Sequence, residues 1–523
     1  MRNVLEYLEA AYLKAPEKTA YASETDSLTF RQVYMQARSV GTVLLKDGLY
    51  KKPVVVFMEK SPQTITAFLG VVYAGCYYVP VDEEMPSYRM ELIFKTLSPQ
   101  AVICDKATTD RLYKMGYQGQ VYLYEQISAT PQDTKALSAV REKSIDTDAL
   151  YIVFTSGSTG IPKGVVACHR SVIDYIENLS AVLQVSEDTV FGNQAPLYVD
   201  ACLKEIYPTL KFAATAYLIP KQLFMFPVKL VEFINAHQIN TICWVVPALT
   251  MISGLGAFEK AVPSSLKTIA FGSEVFPARQ LALWRKYVPN ARYINLYGPT
   301  EATGMSCYYV VDREFKEDEV IPIGRPFPNT GILLLNEDGK EVTQGEKGEI
   351  CIRGTAVTMG YYRQPEKTAA NFVQNPLNKD YPEIIYKTGD LGYYNDRGEL
   401  MFASRKDYQI KHMGHRIELG EIEGSVNCME KIAGGCCIYD EEKKKIVLFY
   451  AGEVQPAEVL AFLKERLPRY MVPGVLRQVD RLPLTLNGKV DRMKLKEMYF
   501  DGKQLVSRPV ADGIKKTEEL INI

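Results

Sequence analysis

The sequence predicts an α/β protein: a large N-terminal region of mainly parallel sheet, followed by a smaller βα region. Three observations carry this prediction. The 523 residues exceed what one hydrophobic core usually holds, so several folding units are expected. Between residues 53 and 303, short apolar runs alternate with longer amphipathic stretches. After about residue 315, short strands and closely spaced turns replace this alternation.

The elements of the first region follow in order along the chain. PVVVFME at 53–59 predicts a buried strand, the stretch 61–75 predicts a helix that ends at Gly75, and YYVPVD at 77–82 predicts the next strand. Further strand-like runs lie at 101–105, 120–126, 149–160, 240–248, 266–274 and 291–303. Short strands separated by amphipathic stretches are typical of βαβ units, in which consecutive strands run parallel.

Two tight turns mark the antiparallel part that follows. NEDGK and NDRGE each place a glycine between short β-rich runs, a pattern that favours hairpins. A βα pattern resumes near residue 407 and ends near residue 500. We therefore predict three regions, at 1–406, 407–500 and a polar tail at 501–523.

Composition and charge exclude several classes of protein. The chain carries 61 basic and 62 acidic residues, so it has no basic field for nucleic acid. No apolar run approaches the roughly 18 residues of a membrane span, and the opening residues do not form a signal peptide. The ten cysteines include no CxxC pair, which favours reduced thiols. We expect a cytoplasmic monomer that binds neither nucleic acid nor membrane.

TSGSTGIPKG at 155–164 predicts a polyphosphate site, because it follows an apolar strand and combines glycines, hydroxyls and a lysine. Glycines allow close backbone approach, successive N–H groups form an anion nest, and the lysine adds charge. Pro162 and Gly164 flank the lysine, so this is not a Walker loop. The alternative is a plain surface loop. The candidate phosphate-binding residues are Thr155, Ser156, Gly157, Ser158, Thr159, Gly160 and Lys163.

YGPTEAT at 297–303 predicts a nucleotide site directly after a strand. Tyr297 can stack on a base and Thr300 can donate to a phosphate. Glu301 offers the oxygen ligands that Mg²⁺ prefers. The structural alternative is a Gly-Pro turn with a capping threonine and glutamate.

These blocks together resemble the adenylate-forming superfamily of acyl-CoA synthetases, luciferases and peptide-synthetase adenylation domains. The blocks match in order from LTFRQV at 28–33 to NGKVDR at 487–492, and they are most similar to nonribosomal peptide synthetase amino-acid adenylation domains. The resemblance implies a large N-terminal domain that includes a small β-barrel part. It also implies a small, mobile α+β C-terminal domain.

The resemblance implies the use of ATP and Mg²⁺ and assigns further nucleotide contacts. Loop residues Gly272, Ser273 and Glu274 match those that lie against adenine. Asp390 matches a carboxylate that binds the ribose hydroxyls, and Arg405 matches an arginine that also reaches the ribose. The residue before this arginine is usually glycine, and here it is Ser404.

Two residues of the C-terminal blocks receive roles from the resemblance. Asp407 matches the hinge about which the small domain rotates. Lys489, in NGKVDR, matches a lysine that bridges the substrate carboxylate and the α-phosphate. The alternative for Asp407 is an ordinary surface aspartate in a linker. The alternative for Lys489 is a solvated lysine on a turn.

The substrate pocket is assigned by the same resemblance. Asp200, in NQAPLYVDACLKEIYPTL, matches the carboxylate that pairs with an α-amino group; the alternative is a helix N-cap. Lys204, one helical turn later, would suit an acidic side chain or would extend to solvent. Bulky Trp244 and Phe271 favour a small or medium amino acid. The remaining expected lining residues are Ala201, Ile269, Leu296, Gly304 and Met305.

The predicted activity is formation of an aminoacyl-adenylate, followed by transfer to the phosphopantetheine thiol of a separate carrier protein. The carrier is expected to be a separate protein because no LGGxS block, which would carry the phosphopantetheine, follows NGKVDR. A D-alanine–carrier ligase and an acyl- or aryl-CoA ligase are the alternatives of the same fold. HMGH at 412–415 resembles an aminoacyl-tRNA synthetase signature, but no KMSKS-like loop accompanies it.

Overall fold

The structure is a computed structural model that describes residues 1–157, 160–485 and 490–500. Within this part of the chain, no helix is both long enough and apolar enough to span a bilayer. The helices are α1 Leu5–Lys14, α2 Phe30–Lys46, α3 Pro62–Tyr73, α4 Ser87–Leu97, α5 Thr109–Lys114, α6 Tyr124–Ile127, α7 Thr134–Lys143, α8 His169–Leu183, α9 Leu203–Phe212, α10 Pro227–Ala236, α11 Val246–Gly254, α12 Ala278–Tyr287, α13 Pro365–Asn371, α14 Leu419–Val426, α15 Pro456–Arg466 and α16 Arg492–Phe500.

Strands outnumber the helices in the described residues. They are β1 Thr19–Ala22, β2 Ser27–Thr29, β3 Pro53–Phe57, β4 Tyr77–Pro80, β5 Ala101–Cys104, β6 Gln120–Leu123, β7 Ala149–Thr155, β8 Lys163–Cys168, β9 Val190–Asn193, β10 Thr215–Leu218, β11 Thr241–Val245, β12 Thr268–Gly272, β13 Arg292–Tyr297, β14 Cys307–Val310, β15 Arg325–Pro326, β16 Thr330–Leu335, β17 Gly348–Gly354, β18 Phe372–Gln374, β19 Ile384–Tyr394, β20 Leu400–Arg405, β21 Gln409–His412, β22 His415–Glu418, β23 Ile432–Asp440, β24 Lys445–Gly452 and β25 Val475–Val479.

Two largely parallel sheets form the main body. One has the strand order β6-β5-β3-β4-β7-β8, and the other has the order β15-β14-β13-β12-β11-β9-β10-β1-β2. The antiparallel pairs lie towards their edges, at β7–β8, β13–β14, β14–β15 and β1–β2. Successive residues of β3 pack into different cores on its two faces, as expected for a parallel sheet covered on both sides. The α/β prediction is confirmed.

The region with tight turns folds as predicted. A five-stranded antiparallel sheet has the order β16-β17-β19-β18, with β20 paired to β19. The NDRGE turn joins β19 to β20, and Leu335 bridges Glu341 across the NEDGK turn. This sheet corresponds to the expected small barrel part.

Two of the predicted strand runs contain the start of a helix. The run 120–126 stops at Leu123, because a short helix starts at Tyr124. The run 240–248 stops at Val245, because Pro247 lies in the first turn of α11, where proline is favoured. Apolarity alone does not separate the end of a buried strand from the start of a buried helix.

The described residues form two compact units. The first comprises 1–156 and 161–416, and the second comprises the described residues from Ile417 onwards together with Gly157 and Gly160. In the second unit, β23, β24 and β25 form a sheet, and Arg492 pairs with Glu423. The division falls after Arg416 rather than at the predicted 406/407, because residues just before it bond within the first unit. Gly414 N, for example, donates to Glu274 Oε1 at 3.0 Å.

Candidate active site

Two neighbouring parallel strands bring the predicted nucleotide loops together. Strand β12 ends at Gly272 and β13 ends at Tyr297, and Gly272 lies opposite Leu296 in the ladder. The loop 272–274 and the turn 297–301 therefore leave the same edge of the sheet. The carboxyl edge of a parallel sheet is where α/β proteins bind ligands.

Three residues predicted to contact the nucleoside form one cluster, in which Tyr297 and Asp390 are buried and Arg405 is partly exposed. Asp390 Oδ2 accepts a hydrogen bond from the Tyr297 hydroxyl at 2.6 Å, and Asp390 Oδ1 pairs with Arg405. Asp390 and Arg405 face each other in register on β19 and β20. The ammonium of Lys411 lies 5.6 Å from the centre of the Tyr297 ring. Base stacking by Tyr297 and ribose binding by Asp390 stay predictions.

Glu301 is fully buried in a short 3₁₀ turn at Thr300–Ala302. Its Oε1 accepts from the Tyr361 hydroxyl at 2.9 Å, and its Oε2 pairs with Arg416 Nη1 at 2.7 Å. Burial acts to raise the pKa of Glu301, but Arg416, Lys163 and the Tyr361 hydroxyl outweigh it and lower that pKa to about 2. Glu301 is therefore ionised at neutral pH.

This arrangement does not fit the expectation that Glu301 binds Mg²⁺. Both carboxylate oxygens already have donors, and Arg416 supplies the balancing positive charge. Among the described residues, no group of three or more His, Cys, Asp or Glu side chains could hold a metal ion. Glu301 would have to lose Arg416 before its Oε2 could bind a cation.

Replacing Arg416 by methionine should destabilise the fold, because it leaves the Glu301 carboxylate buried without its counter-charge. Breaking a buried ion pair from one side typically costs about 3–5 kcal/mol. Urea unfolding of the variant measures this loss. Arg170→Met removes the exposed pair with Asp146 and should change stability little, because water screens that pair. Equal stability of the two variants would contradict a structural role for Arg416.

The predicted phosphate loop, TSGSTGIPKG, begins at the end of β7. The Thr155 hydroxyl is buried and has no hydrogen-bond partner among the described residues, and the Ser156 hydroxyl donates to the Arg416 carbonyl at 2.9 Å. Lys163 Nζ lies 5.3 Å from the centre of the Tyr361 ring, beside Glu301. Gly160 has a positive φ of 79°. Ser158 and Thr159 lie outside the described residues, as does Lys489.

Asp200 lies next to the YGPTE turn rather than capping a helix. It begins the 3₁₀ turn Asp200–Cys202 that continues into α9, and no side chain caps either helix. Burial raises the pKa of Asp200, and the nearby charge of Glu301 raises this pKa further. The Thr300 hydroxyl and the Lys204 ammonium group act in the opposite direction, but the pKa remains above its ordinary value. The N-cap alternative is therefore wrong, and the structure brings Asp200 to two predicted catalytic residues, Thr300 and Glu301.

Lys204 is 3% exposed, so the alternative in which it extends to solvent is wrong. It forms no hydrogen bond or ion pair with any residue in the described ranges. The groups whose charges it influences are Asp200, Glu205 and Cys243.

The other expected pocket residues lie on two faces of the sheet. Ala201, Leu296 and Met305 belong to or contact the first large core. Ile269 and the register pair Trp244–Phe271 pack in the second core, where Trp244 Nε1 donates to a backbone carbonyl at 2.7 Å. The structure therefore does not bring all eight residues to one face, and the bulky aromatic pair points away from Leu296.

Glu205 gives the chain a specific pH dependence. Glu205 is fully buried, and burial raises its pKa to about 7. Lys204, Asn193 and Lys60 lower this pKa, but by less than burial raises it. The folded state therefore holds this proton more tightly than the unfolded state does. The stabilisation is complete below the ordinary pKa of glutamate and is lost as pH rises through about 7.

The variant Glu205→Gln should remove this pH dependence. The wild type should lose up to about 3 kcal/mol of stability between pH 4.5 and 8 through this group, and the variant should not. Denaturant unfolding at both pH values measures the difference. Glu232→Gln, an exposed substitution on α10, serves as the control and should follow the wild type. Parallel pH curves for wild type and Glu205→Gln would contradict the assignment.

Several residues of this site received no role from the sequence. Arg416 lies inside the HRIELGEIE block and Tyr361 inside MGYYR, but nothing in either pattern indicates Glu301 as the partner. Glu205 carried a usable signal, because a Lys-Glu pair inside the apolar stretch ACLKEIYPTL places two charges in a helix that must pack.

Comparisons with known proteins identify the family. A protein-family profile described as AMP-binding enzyme matches residues 8–362. Tyrocidine synthase 1 of Brevibacillus parabrevis is 30% identical over 495 residues, covering 94% of this chain but 44% of that protein. The chain thus spans less than half the length of this curated relative.

Two solved structures share the fold. The first is holo-PA1221, a nonribosomal peptide synthetase protein containing adenylation and PCP domains; it has a TM-score of 0.82 at 23% identity, over 94% of this chain and 84% of that one. The second is a variant of o-succinylbenzoate CoA synthetase from Bacillus subtilis, with a TM-score of 0.81 at 20% identity, over 95% and 98%. At these identities the likeness concerns the fold alone.

Proposed function

The chain belongs to the AMP-binding enzyme family, and from that premise we propose that it activates an amino acid by joining its carboxylate to the adenylyl group of ATP. The observation that carries this proposal is the position of Asp200 beside Thr300 and Glu301. A carboxylate there supplies the counter-charge for an α-ammonium group next to the nucleotide loops. A fatty or aryl acid has no ammonium group for Asp200 to bind.

The described residues divide the work of binding and orientation. Asp200 holds the ammonium group, so that the substrate carboxylate is directed towards the α-phosphorus. Lys163, Thr155 and Thr300 donate to phosphate oxygens, and the Asp390–Arg405 pair fixes the ribose. Because the two reactants are held in the reactive geometry, the entropy cost of bringing them together is met on binding and no longer adds to the barrier of the chemical step.

The reaction needs no side-chain nucleophile. A substrate carboxylate oxygen forms a bond to the α-phosphorus, the bond from that phosphorus to the bridging oxygen breaks, and pyrophosphate leaves with the electron pair. Lys489 is proposed to stabilise the negative charge that develops during the attack. The product is an aminoacyl-adenylate.

The adenylate is then proposed to pass to the phosphopantetheine thiol of a carrier protein. The thiol loses its proton, its sulfur attacks the carbonyl carbon, and AMP leaves. Similarity to a protein that contains adenylation and PCP domains supports a carrier partner. Rotation of the C-terminal region about Asp407 would separate the two half-reactions. In this structure Asp407 accepts from Arg405 Nε at 2.7 Å, so the proposed hinge starts from a formed ion pair.

The second candidate function is a CoA ligase, the activity named for the o-succinylbenzoate CoA synthetase whose fold this chain shares. ATP–pyrophosphate exchange separates the two when it is measured with amino acids, including D-alanine, and with matched acids that lack the amino group. Exchange with amino acids only supports the proposal. Exchange that is as fast with the deamino acids overturns it and favours the CoA ligase.

A further inference from the structure

Strand β19 bulges away from β17 at residues 388–390. Glu349 of β17 pairs with Leu391 of β19. The next pair in this ladder is Cys351 with Lys387, so a single residue of β17 lies opposite three residues of β19. A bulge interrupts the ladder and re-aims the side chains that it carries, and bulges are frequent beside active sites. The backbone groups of the three bulged residues therefore need hydrogen bonds from outside the ladder.

Side chains supply hydrogen bonds that the ladder lacks here. Glu349 Oε1 accepts from the Gly389 N–H at 3.0 Å. The Thr388 hydroxyl accepts from the Asp390 N–H at 3.0 Å and donates to the Ile350 carbonyl at 2.7 Å. A backbone N–H that is withdrawn from water without an acceptor is costly. Glu349 and Thr388 thus fix the course of the backbone that leads into Asp390.

The other oxygen of Glu349 reaches the chain segment that follows β20. Its Oε2 lies 3.2 Å from the ammonium nitrogen of Lys406 and 3.7 Å from that of Lys387. The backbone N–H of Lys406 in turn donates to the Gly389 carbonyl at 2.8 Å. Gly389 is therefore held at both its N–H and its carbonyl group, and the buried carboxylate of Glu349 joins the two attachments.

The bulge also packs directly against the ion pair of Asp390 and Arg405. Gly389 has a positive φ of 74°, and a Cβ there would lie 2.9 Å from Arg405 Nη2. The same guanidinium pairs with Asp390 and donates to the Thr388 carbonyl at 3.2 Å. A shift of the bulge would therefore move both partners of this pair.

We propose that Glu349 is a positioning residue for the nucleotide, which holds residues 388–390 so that Asp390 meets the ribose hydroxyls. The inference rests on the proposed function, in which Asp390 and Arg405 fix the ribose. Glu349 acts through Gly389 and Lys406 and touches no substrate. Without its carboxylate the Gly389 N–H loses its acceptor and Lys406 loses its counter-charge, so the backbone before Asp390 is no longer held in one place.

The test is ATP–pyrophosphate exchange with ATP and with 3′-deoxy-ATP, in the presence of the amino acid that gives the fastest exchange. The wild type should prefer ATP by about 100-fold in kcat/KM, because a site built to bind a hydroxyl group rejects an analogue that lacks it. In Glu349→Met, an apolar side chain of similar length, that preference should fall to about 10-fold. The KM for ATP should rise about 10-fold while the KM for the amino acid stays unchanged, a split that a general loss of stability would not produce.

Two further variants define the contact. Glu349→Gln keeps an oxygen that accepts from the Gly389 N–H, so it should recover most of the preference for ATP. Glu383→Met is the matched control, because Glu383 pairs with Arg353 beside the same sheet but outside the bulge. It should keep the wild-type preference. Thermal unfolding shows which variants are folded.

If Glu349→Met does not fold, Glu349→Asp takes its place, since it withdraws the carboxylate by one methylene group and should lower the preference about 5-fold. An unchanged preference in whichever of these two is used would overturn the inference and leave the proposed function intact. Equal loss in Glu349→Gln and Glu349→Met would also overturn it. A wild type without any preference would overturn the inference together with the ribose role of Asp390. Exchange with no amino acid at all would overturn the proposed function and, with it, this inference.

Discussion

Replacing Asp200 by asparagine should lower kcat/KM for the amino acid by on the order of 100- to 1000-fold. The substitution keeps the shape of the side chain and removes its charge, so the α-ammonium group loses its counter-ion. The same change leaves Lys204 with one anion fewer nearby, because these two groups influence each other directly. The loss should therefore appear in amino-acid binding more than in ATP binding.

Two measurements separate this effect from general damage. Amino-acid affinity is measured by calorimetry in the absence of ATP, and the KM for ATP is measured at saturating amino acid. Asp188→Asn, an exposed substitution just before β9, is the matched control and should leave both unchanged. An unaltered amino-acid KM in folded Asp200→Asn would show that Asp200 does not bind the ammonium group.

Alanine at Lys489 should remove adenylate formation almost completely, by about 100- to 1000-fold in the exchange rate. The reason is the proposed role of this lysine, whose positive charge stabilises the negative charge that develops as the carboxylate attacks phosphorus. Lys489 lies outside the described residues, so the expectation rests on the NGKVDR block. Thioester formation starts from the finished adenylate and does not need this contact.

The decisive measurement therefore uses a chemically prepared aminoacyl-adenylate. Lys489→Ala should still transfer its acyl group to the carrier thiol at close to the wild-type rate while ATP–pyrophosphate exchange is lost. Lys445→Ala, an exposed substitution on β24, should retain both half-reactions. Equal loss of both in Lys489→Ala would mean that the lysine supports the fold or the carrier contact instead.

The sequence was sufficient to predict the two nucleotide loops because the chemistry that marks them is local. TSGSTGIPKG and YGPTEAT each gather their functional groups within ten residues or fewer, directly after an apolar strand. TSGSTGIPKG follows β7 of the six-stranded sheet and YGPTEAT follows β13 of the nine-stranded sheet, and each lies at the carboxyl end of its strand. The meeting of Tyr297, Asp390 and Arg405 followed from the family's motifs, and the structure brings these three together.

The side-chain pocket could not be assigned in this way. Strand residues alternate between two faces, so a position known only by motif alignment does not tell which core its side chain enters. Trp244, Ile269 and Phe271 pack in the second core, and the expectation of an apolar, shortened pocket depended on two of them. The pairing register of β11 and β12 decides on which face of the sheet these three side chains lie.

By itself the sequence determined the α/β class and the family and predicted the nucleotide loops, because period, turn residues and short motifs are properties of neighbouring residues. Only the tertiary structure decided which charges are balanced. Arg416 reaches Glu301 across 115 positions of the chain, and the charge of Lys60 acts on the buried carboxyl group of Glu205. Electrostatic pairing and desolvation depend on distances between remote segments, and no local pattern encodes them.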